Sequence, residues 1–427
     1  MKKVLIIAFY FPPLGGGGVQ RPLKFVKYLR EFGWEPVVLT IKPFRLNYAR
    51  DHSLLKEIPK DIKIYKAPYF NISRFPLMGG TTGKYLYKPF EKRYLLPDKE
   101  IVWNRFAISK AMEIIKEENI DVIFTTMPPN SINLIGEKLK RLTNLPWVCD
   151  IRDEWTSDQK RKKHFDSMNR ERVQKEKEME LRSLGFADKL TIISDLAKNR
   201  ISNFNNIPLN KINIISNGYD SKDFQNYTYQ YPSKGGKLKI VHPGNLSTRE
   251  FDSFLIALKN LEQTKIIDPN KIEIVFITSS GKKRITKINN SSIIKFLPYQ
   301  DHKKLLTDLS NYHLLLLNIG KNEQTIVTGK IFEYLYARRI IFAIIPKDGV
   351  AANIIRECNA GIISSSENIP EIEKNLLDVY RLWENNKLNY AGVDENIKQY
   401  DRRFLTEKLA DTFNSLMESD RDKRVTK

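Results

Sequence analysis

The segment Asp150-Ile151-Arg152-Asp153-Glu154-Trp155 places two carboxylates three positions apart around an arginine, directly after the apolar run Trp147-Val148-Cys149. At a strand end such a set can position ligand hydroxyls or supply a general base. The same residues also make a self-neutralising group, in which Arg152 balances Asp150 and Asp153. Four consecutive glycines, Gly15, Gly16, Gly17 and Gly18, follow the apolar run Val4 to Phe9 and precede a helical pattern near Gln20 and Arg21. With no Cβ in the way, backbone N–H groups there can approach a bound anion. A second loop of this kind, His242-Pro243-Gly244-Asn245-Leu246-Ser247-Thr248-Arg249, ends in an arginine able to hold a phosphate by two bonds. Further on, Thr328-Gly329-Lys330 opens the helical run Ile331-Phe332-Glu333-Tyr334-Leu335. Threonine, glycine and lysine at a helix start form an anion site, and Glu333 one turn inside can accept bonds from ribose hydroxyls.

The first glycine loop is not a dinucleotide fingerprint. Counting G-x-G-x-x-G from Gly15 or Gly16 puts Gln20 or Arg21 where a third small residue belongs, and the second strand, Val37 to Thr40, runs into Lys42 without an acid for a ribose hydroxyl. An NAD enzyme is therefore excluded as the leading reading.

The elements that must carry these loops alternate between strand and helix. Strands are expected at Ile62 to Lys66, Val122 to Thr126, Trp147 to Asp150, Leu190 to Ile193 and Ile212 to Ile215, with helices at Arg105 to Glu118, Ser131 to Leu142, Met168 to Leu184 and Asp195 to Phe204. The first helix, Arg21 to Phe32, sets Leu23, Val26 and Leu29 on one side and Lys24, Lys27 and Arg30 on the other, and Gly33 stops it. A tyrosine-rich polar stretch with linker composition follows, and then the series repeats. Its strands are Leu238 to His242, Ile272 to Thr278, Ile293 to Leu297, Leu314 to Asn318, Ile340 to Ile345 and Gly361 to Ser364. Its helices are Glu250 to Leu261, Asp301 to Leu309, Gly329 to Arg338 and Ala351 to Cys358, and a last helical stretch spans Ile397 to Met417. Short β-rich runs between helices imply parallel sheets covered on both faces. The expected class is α/β with two doubly wound, Rossmann-like domains. Their expected bounds are 1–218 and 238–395, with a linker at 219–237 and a C-terminal helix and tail at 396–427. Strand ends of the two sheets are expected to face each other across a cleft, where ligands of such sheets bind.

At 427 residues, two domains are the default, and 41% hydrophobic with 28% charged residues describes a globular chain. No apolar run reaches the roughly 18 residues of a membrane span, and the start Met1-Lys2-Lys3-Val4 leads into a strand, so a cytoplasmic location is expected. Cys149 and Cys358 match no metal or redox spacing and read as buried thiols. The net charge of +21 sits mainly in residues 1–218, where 39 Lys and Arg face 24 Asp and Glu, a net +15. Such a field attracts nucleic acid, anionic lipid or a phosphorylated ligand. No nucleic-acid motif accompanies it, which leaves a diphosphate ligand or peripheral contact with the anionic inner membrane face. Interleaved aromatic and basic residues from Tyr69 to Tyr94, among them Arg74, Phe75, Lys84, Tyr85, Tyr87, Lys88, Phe90, Lys92 and Arg93, suit either a membrane interface or a partly buried acceptor-side insertion.

Taken together, the motifs resemble the retaining glycosyltransferases of family 4. The resemblance spans nearly the whole chain. It rests on Phe11-Pro12-Pro13 with the glycine loop, Leu96-Pro97-Asp98 upstream of Trp103, Thr126-Met127-Pro128-Pro129-Asn130-Ser131, Asp150 to Trp155, Ser216-Asn217-Gly218-Tyr219-Asp220 and Gly329 to Leu335. It implies a GT-B fold, a nucleotide-sugar donor held mainly by the second domain, an acceptor held mainly by the first, and no obligatory metal or other cofactor. By matching motif, Glu333 corresponds to the glutamate that binds the nucleotide ribose. Lys330 and Arg249 suit the donor diphosphate, with Gly244, Asn245, Thr328 and Gly329 beside them and Gly15 to Gly18 facing it from the first domain. Asp150 and Asp153 take catalytic positions, and Arg152 and Asn130 the acceptor side. Where many members carry a first glutamate eight positions before the second, this chain has Thr325. The implied activity is transfer of a sugar, with retention, to a glycan or lipid-diphosphate-linked acceptor in surface polysaccharide synthesis. The alternatives are a GT-B sugar-nucleotide epimerase and a non-catalytic, membrane-associated partner of a transferase.

Overall fold

The structure, a computed structural model, describes residues 1–42, 50–70, 91, 94–157, 169–225, 227–230, 232, 236–246 and 251–425. Arg249 and the Arg74 to Phe90, Lys92 and Arg93 part of the aromatic and basic run lie outside the described residues. The chain forms two compact units, Met1–Ser216 with Arg402–Lys427, and Asn217–Asp401.

In the first unit the strands are β1 (Lys2–Ala8), β2 (Trp34–Lys42), β3 (Ile64–Pro68), β4 (Val122–Thr126), β5 (Trp147–Ile151), β6 (Lys189–Ile192) and β7 (Ile212–Ile214). They form one sheet in the order β3-β2-β1-β4-β5-β6-β7, parallel throughout. The helices between them are α1 (Gly17–Tyr28), α2 (Ile101–Glu118), α3 (Ile132–Thr143), α4 (Arg170–Phe186) and α5 (Asp195–Asn205). Side chains of a strand alternate between faces, and β1 shows what that does when both faces are covered. Leu5, Ile7 and Phe9 enter one apolar core, while Val4, Ile6 and Ala8 enter another. The second of these cores is completed by the last helix. Leu405, Leu409, Phe413 and Leu416 pack there, and Trp34 donates its Nε1–H to Asn414 (3.2 Å). On the opposite face Gly136 lets α3 lie against Trp147, whose ring would be 2.2 Å from any Cβ at that position.

Helix α1 begins at Gly17, ahead of the expected start, because Gly16 takes the cap at φ 95°, a conformation that costs glycine little. It runs to Tyr28 and tightens into a 3₁₀ turn, Leu29–Phe32, that Gly33 ends at φ 81°. Its basic side is not a solvated stripe. Lys24 is buried with its ammonium 2.5 Å from Glu57, Lys27 lies 3.6 Å from the same carboxylate, and Arg30 pairs with Glu35 (2.7 Å). Helical spacing identifies a second face but not what covers it.

The second unit repeats the design with β8 (Leu238–Pro243), β9 (Ile272–Ile277), β10 (Ile294–Leu297), β11 (Leu314–Asn318), β12 (Ile340–Ile344) and β13 (Gly361–Ser364). The sheet order is β10-β9-β8-β11-β12-β13, again all parallel. Its helices are α6 (Asp252–Gln263), α7 (Lys282–Ile288), α8 (His302–Asp308), α9 (Gly329–Tyr336), α10 (Val350–Glu357), α11 (Ile369–Glu384) and α12 (Asp394–Lys398). The two helices α7 and α11 were not expected, although Ile372, Leu376, Val379 and Tyr380 of α11 recur at helical spacing and are buried. A break at Gln399 to Asp401 separates α12 from α13 (Arg402–Val425), so the expected single helix from Ile397 is two, in different units.

The stretch with linker composition departs furthest from its sequence reading. Tyr219 stacks on Tyr336 (4.3 Å), Phe224 and Tyr227 are buried in the unit's core, and the Tyr227 hydroxyl donates to the Ala337 carbonyl (2.6 Å). Arg339, fully buried, donates to the carbonyls of Gln230 (2.7 Å) and Ser310 (3.1 Å). Aromatic residues without helical or strand period still bury area, and they tie this stretch to the second unit.

One buried acid links three elements of the first unit. Glu118, at the end of α2, accepts from Lys63 (2.7 Å), the Tyr65 hydroxyl (2.7 Å) and Lys3 (3.2 Å). The Lys63 and Tyr65 hydrogen bonds outweigh burial and lower its pKa from 4.5 to about 2, while the bond to Glu118 raises that of Tyr65 to about 12. A depressed carboxyl contributes stability that is present above its unfolded pKa and lost as pH falls through the folded one. Denaturant midpoints of the wild type are therefore expected to fall as pH drops from 4.5 towards about 2, with a flatter profile for Glu118→Gln.

Candidate functional site

In each sheet the strand order reverses beside the first strand, between β1 and β4 and between β8 and β11. Loops leaving such a switch point diverge and leave room for a ligand at the C-terminal strand ends. The sequence-predicted residues sit on these loops, and the two units are taken separately.

In the first unit Gly15 to Gly18 follow β1 and lead into α1, Asn130 follows β4, and Asp150 to Asp153 end β5. Asp150 does not act with Arg152. It is fully buried, and both of its oxygens are engaged by other groups. Arg21 of α1 donates through Nη2 to Oδ1 (2.7 Å) and through Nε to Oδ2 (2.9 Å), Thr191 of β6 donates to Oδ1 (2.6 Å), and Thr126 of β4 to Oδ2 (2.7 Å). Arg21 also donates to the Ser216 carbonyl (2.7 Å). Burial opposes the charged form, yet the Arg21 guanidinium and the two threonine hydroxyls hold the Asp150 carboxyl below its ordinary pKa. Asp150 is thus held as an anion in the core, with its lone pairs filled by groups of three other elements.

Arg152 turns the other way and donates to the Gly18 carbonyl (2.7 Å), with its Nη2 3.4 Å from where a Gly18 Cβ would stand. It therefore pins the glycine loop. Burial lowers its pKa, against the raising effects of Asp153 and Asp150. Asp153 is exposed beside it, and Asn130 is half-buried. Open space surrounds Gly16 and Gly17, where an added Cβ would meet nothing within 4 Å. The remainder of the β5 loop hangs on two acids of α4 that the sequence did not single out. Glu176 accepts from Trp155 Nε1 (3.1 Å), and Glu180 from the Thr156 backbone N–H (3.1 Å) and hydroxyl. Their separation of four places both on one helical face, but a charged helix offers many such pairs, so spacing alone does not select them.

In the second unit, Gly244 follows β8 with φ 139° and donates its N–H to the Ile277 carbonyl (2.9 Å). A Cβ there would stand 2.2 Å from Lys330 Nζ, so the ammonium occupies the space that glycine leaves. The Asn245 side chain accepts from Ser280 (2.8 Å), and Asn245 and Gly329 are exposed. Thr328 caps α9 in an extended conformation without using its hydroxyl on the helix. Glu333, one turn after Lys330 and on the same side of α9, accepts from or pairs with His302 Nε2 of α8 at 2.8 Å. His302 is a partner the sequence reading missed, since it lies 31 residues away on another helix. The structure thus brings Gly244, Lys330, Thr328, Gly329 and Glu333 together, a cation and a carboxylate on a helix N-terminal turn opposite a glycine loop. That arrangement suits a ligand with an anionic group next to vicinal hydroxyls. Both cysteines are buried, and burial raises the Cys358 thiol to about 12, which leaves it an inert core residue.

The different surroundings of the two β5 aspartates give a direct test. Asp150→Ala leaves Arg21 buried without its carboxylate and is expected to cost roughly 3–5 kcal/mol of stability in chemical denaturation. Asp153→Ala, at an exposed site, is expected to stay within about 0.5 kcal/mol of wild type.

Comparison with known proteins gives one family match and several shared folds. The family described as Glycosyltransferase Family 4 matches residues 15–223. A sequence search of curated proteins finds no match. Among solved structures, a glycosyltransferase from Rickettsia africae ESF-5 superposes with a TM-score of 0.64 at 15% identity, covering 97% of this chain and 98% of that one. Sucrose-phosphate synthase from Thermosynechococcus elongatus gives 0.66 at 10% identity, covering 98% and 100%. A lipopolysaccharide outer core galactosyltransferase gives 0.62 at 11%, covering 97% and 99%. UDP-N-acetylglucosamine 2-epimerase from Neisseria meningitidis shares the fold as well, at a TM-score of 0.50 and 11% identity over 97% of this chain and 100% of that one. The Glycosyltransferase Family 4 match thus covers residues 15–223, and the chain's two Rossmann-like units share the fold of the GT-B glycosyltransferases it superposes on.

Proposed function

We propose that the protein transfers a sugar, with retention, from a nucleotide-sugar donor to a glycan or lipid-diphosphate-linked acceptor in surface polysaccharide synthesis. The observation that carries the donor side is the seat of Lys330 against Gly244, one helical turn from Glu333. Glu333 accepts from the ribose hydroxyls. Lys330, the start of α9 and the Gly244 loop receive the diphosphate, with Arg249, which follows Gly244 by five positions in sequence, as a further cation. As the glycosidic bond breaks, the nucleoside diphosphate gains negative charge, and a fixed ammonium with helix-end N–H groups stabilises it more in the transition state than before. The charge is met by side chains and backbone, so no obligatory metal or other cofactor is needed.

The first unit takes the acceptor. Asp153 is its exposed carboxylate on the β5 loop, while Arg152, Asn130 and the glycines Gly15 to Gly18 shape the approach. An acceptor at the anionic inner face of the membrane, and peripheral contact with that face, fit the +15 carried by residues 1–218. No helix among the described residues is long and apolar enough to cross a membrane. Nucleic acid has no part in this reading.

A panel of nucleotides and nucleotide sugars in a thermal-shift assay tests the donor side. A ligand that binds only the native state at a hundredfold excess over its Kd adds about 2.7 kcal/mol of apparent stability. One base is expected to shift the wild type, with Lys330→Ala and Glu333→Ala folded but unshifted. Absence of a shift with every nucleotide, together with absence of nucleoside diphosphate release on any acceptor, would sink the proposal. On the first unit, Gly17→Val finds open space for its side chain and is expected to lower turnover more than donor affinity, read as a split between kcat and Kd.

A further inference from the structure

Helix α1 carries Pro22 inside it, and a proline has no N–H to give the Gly18 carbonyl four positions earlier. Arg152 fills that place. Its Nη1 donates to the Gly18 carbonyl (2.7 Å), and its Nη2 is 3.4 Å from where a Gly18 Cβ would stand, a point that Tyr10 borders at 3.5 Å. The Nε and Nη2 edge of the guanidinium meets no acceptor among the described residues, and no described acid pairs with it. Asp150 is taken by Arg21, Thr126 and Thr191, and Asp153 faces water. Burial lowers the pKa of Arg152, with Asp153, Asp150 and Tyr10 opposing and Arg21 adding to it. A cation partly out of water gains most from an opposite charge brought beside it.

The start of α1 borders the same space. The first N–H groups of a helix have no partner within it, and among the described residues those of Gly17 and Gly18 meet no acceptor outside it. The first turn of α1 holds no acidic residue, and a Cβ added at Gly16 or Gly17 would meet nothing within 4 Å.

We propose that Arg152, with the Gly17 and Gly18 amides, holds a phosphate group of the acceptor. This rests on the reading above that the first unit takes the acceptor, and narrows it to an acceptor that presents a phosphate at the glycine loop. The Nε and Nη2 edge donates two parallel bonds to phosphate oxygens, while the amides at the positive end of α1 face the same anion. A neutral glycan hydroxyl brings no charge to the guanidinium and gains nothing comparable. The exposed charge of Asp153 is screened by water and salt.

The test is titration calorimetry of the full chain carrying Lys330→Ala, which removes a cation of the proposed donor site, with inorganic pyrophosphate and geranyl diphosphate, and with geraniol as the uncharged control. Both diphosphates are expected to bind and geraniol not to, with affinity that falls as salt is added. Tighter binding of geranyl diphosphate points to a lipid carrier as the source, and equal binding to the diphosphate itself. Adding Arg152→Gln, which keeps an N–H for the Gly18 carbonyl and lacks the charge, is expected to weaken both by at least about tenfold. Arg152→Lys is expected to restore part of that loss. Gly17→Pro deletes one amide donor at the helical position best suited to proline, is expected to weaken both as well, and serves if the arginine variants do not fold. With Lys330 in place, affinity for UDP and GDP is expected to be unchanged by Arg152→Gln. Equal diphosphate affinity before and after Arg152→Gln, or binding of neither diphosphate, overturns this inference and leaves the acceptor reading standing. Loss of UDP or GDP affinity with Arg152→Gln places the loop on the donor side, and overturns the acceptor reading and this inference with it.

Discussion

The buried carboxylate of Asp150 sets the geometry of the first unit. A charge out of water is stable only when its lone pairs are filled, and here Arg21, Thr126 and Thr191 fill them from α1, β4 and β6. Each of those elements leads to or from a functional loop. Arg21 fixes the start of α1 and with it the four glycines, and its remaining bond reaches Ser216, where the chain leaves this unit. An apolar pair could fill the same volume, but it would not fix the rotation of α1 about its axis or the register of the β5 loop so tightly.

The second unit handles charge differently. Lys330 and Glu333 are half-buried on one side of α9 rather than neutralised in the core, and they border a glycine whose missing Cβ makes room for the ammonium. The structure thus separates two uses of ionic groups. Those of the first sheet hold elements together, and those at the head of α9 lie beside the Gly244 loop. His302 sits between the two uses, since it holds Glu333 in place from α8.

Much of the fold was legible because parallel strands buried on both faces are apolar runs of four to seven residues, and the glycines and acids that follow them mark the strand ends. Leu314–Asn318 and Gly361–Ser364 begin and end where those runs do. Residues 219–230 were not legible, because Tyr219, Phe224 and Tyr227 bury their rings without any period that names an element. What covers the basic side of α1 was not legible for a related reason. Lys24 is polar by type and buried by circumstance, and its partner Glu57 is 33 residues away.

Residue types and their order determined by themselves that this chain builds two Rossmann-like sheets, with glycine loops and charged groups at their C-terminal ends. Glu333, Lys330 and Gly244 stood out in sequence and meet in space. Tertiary structure alone decided the fate of the two aspartates around Arg152. Both end the same strand in the same motif, yet one is sealed in the core against an arginine 129 positions earlier and the other faces water. Sequence spacing describes neighbours along a chain, whereas the ionic role of a carboxylate depends on which groups the packed sheet brings within hydrogen-bond reach, and those come from distant elements.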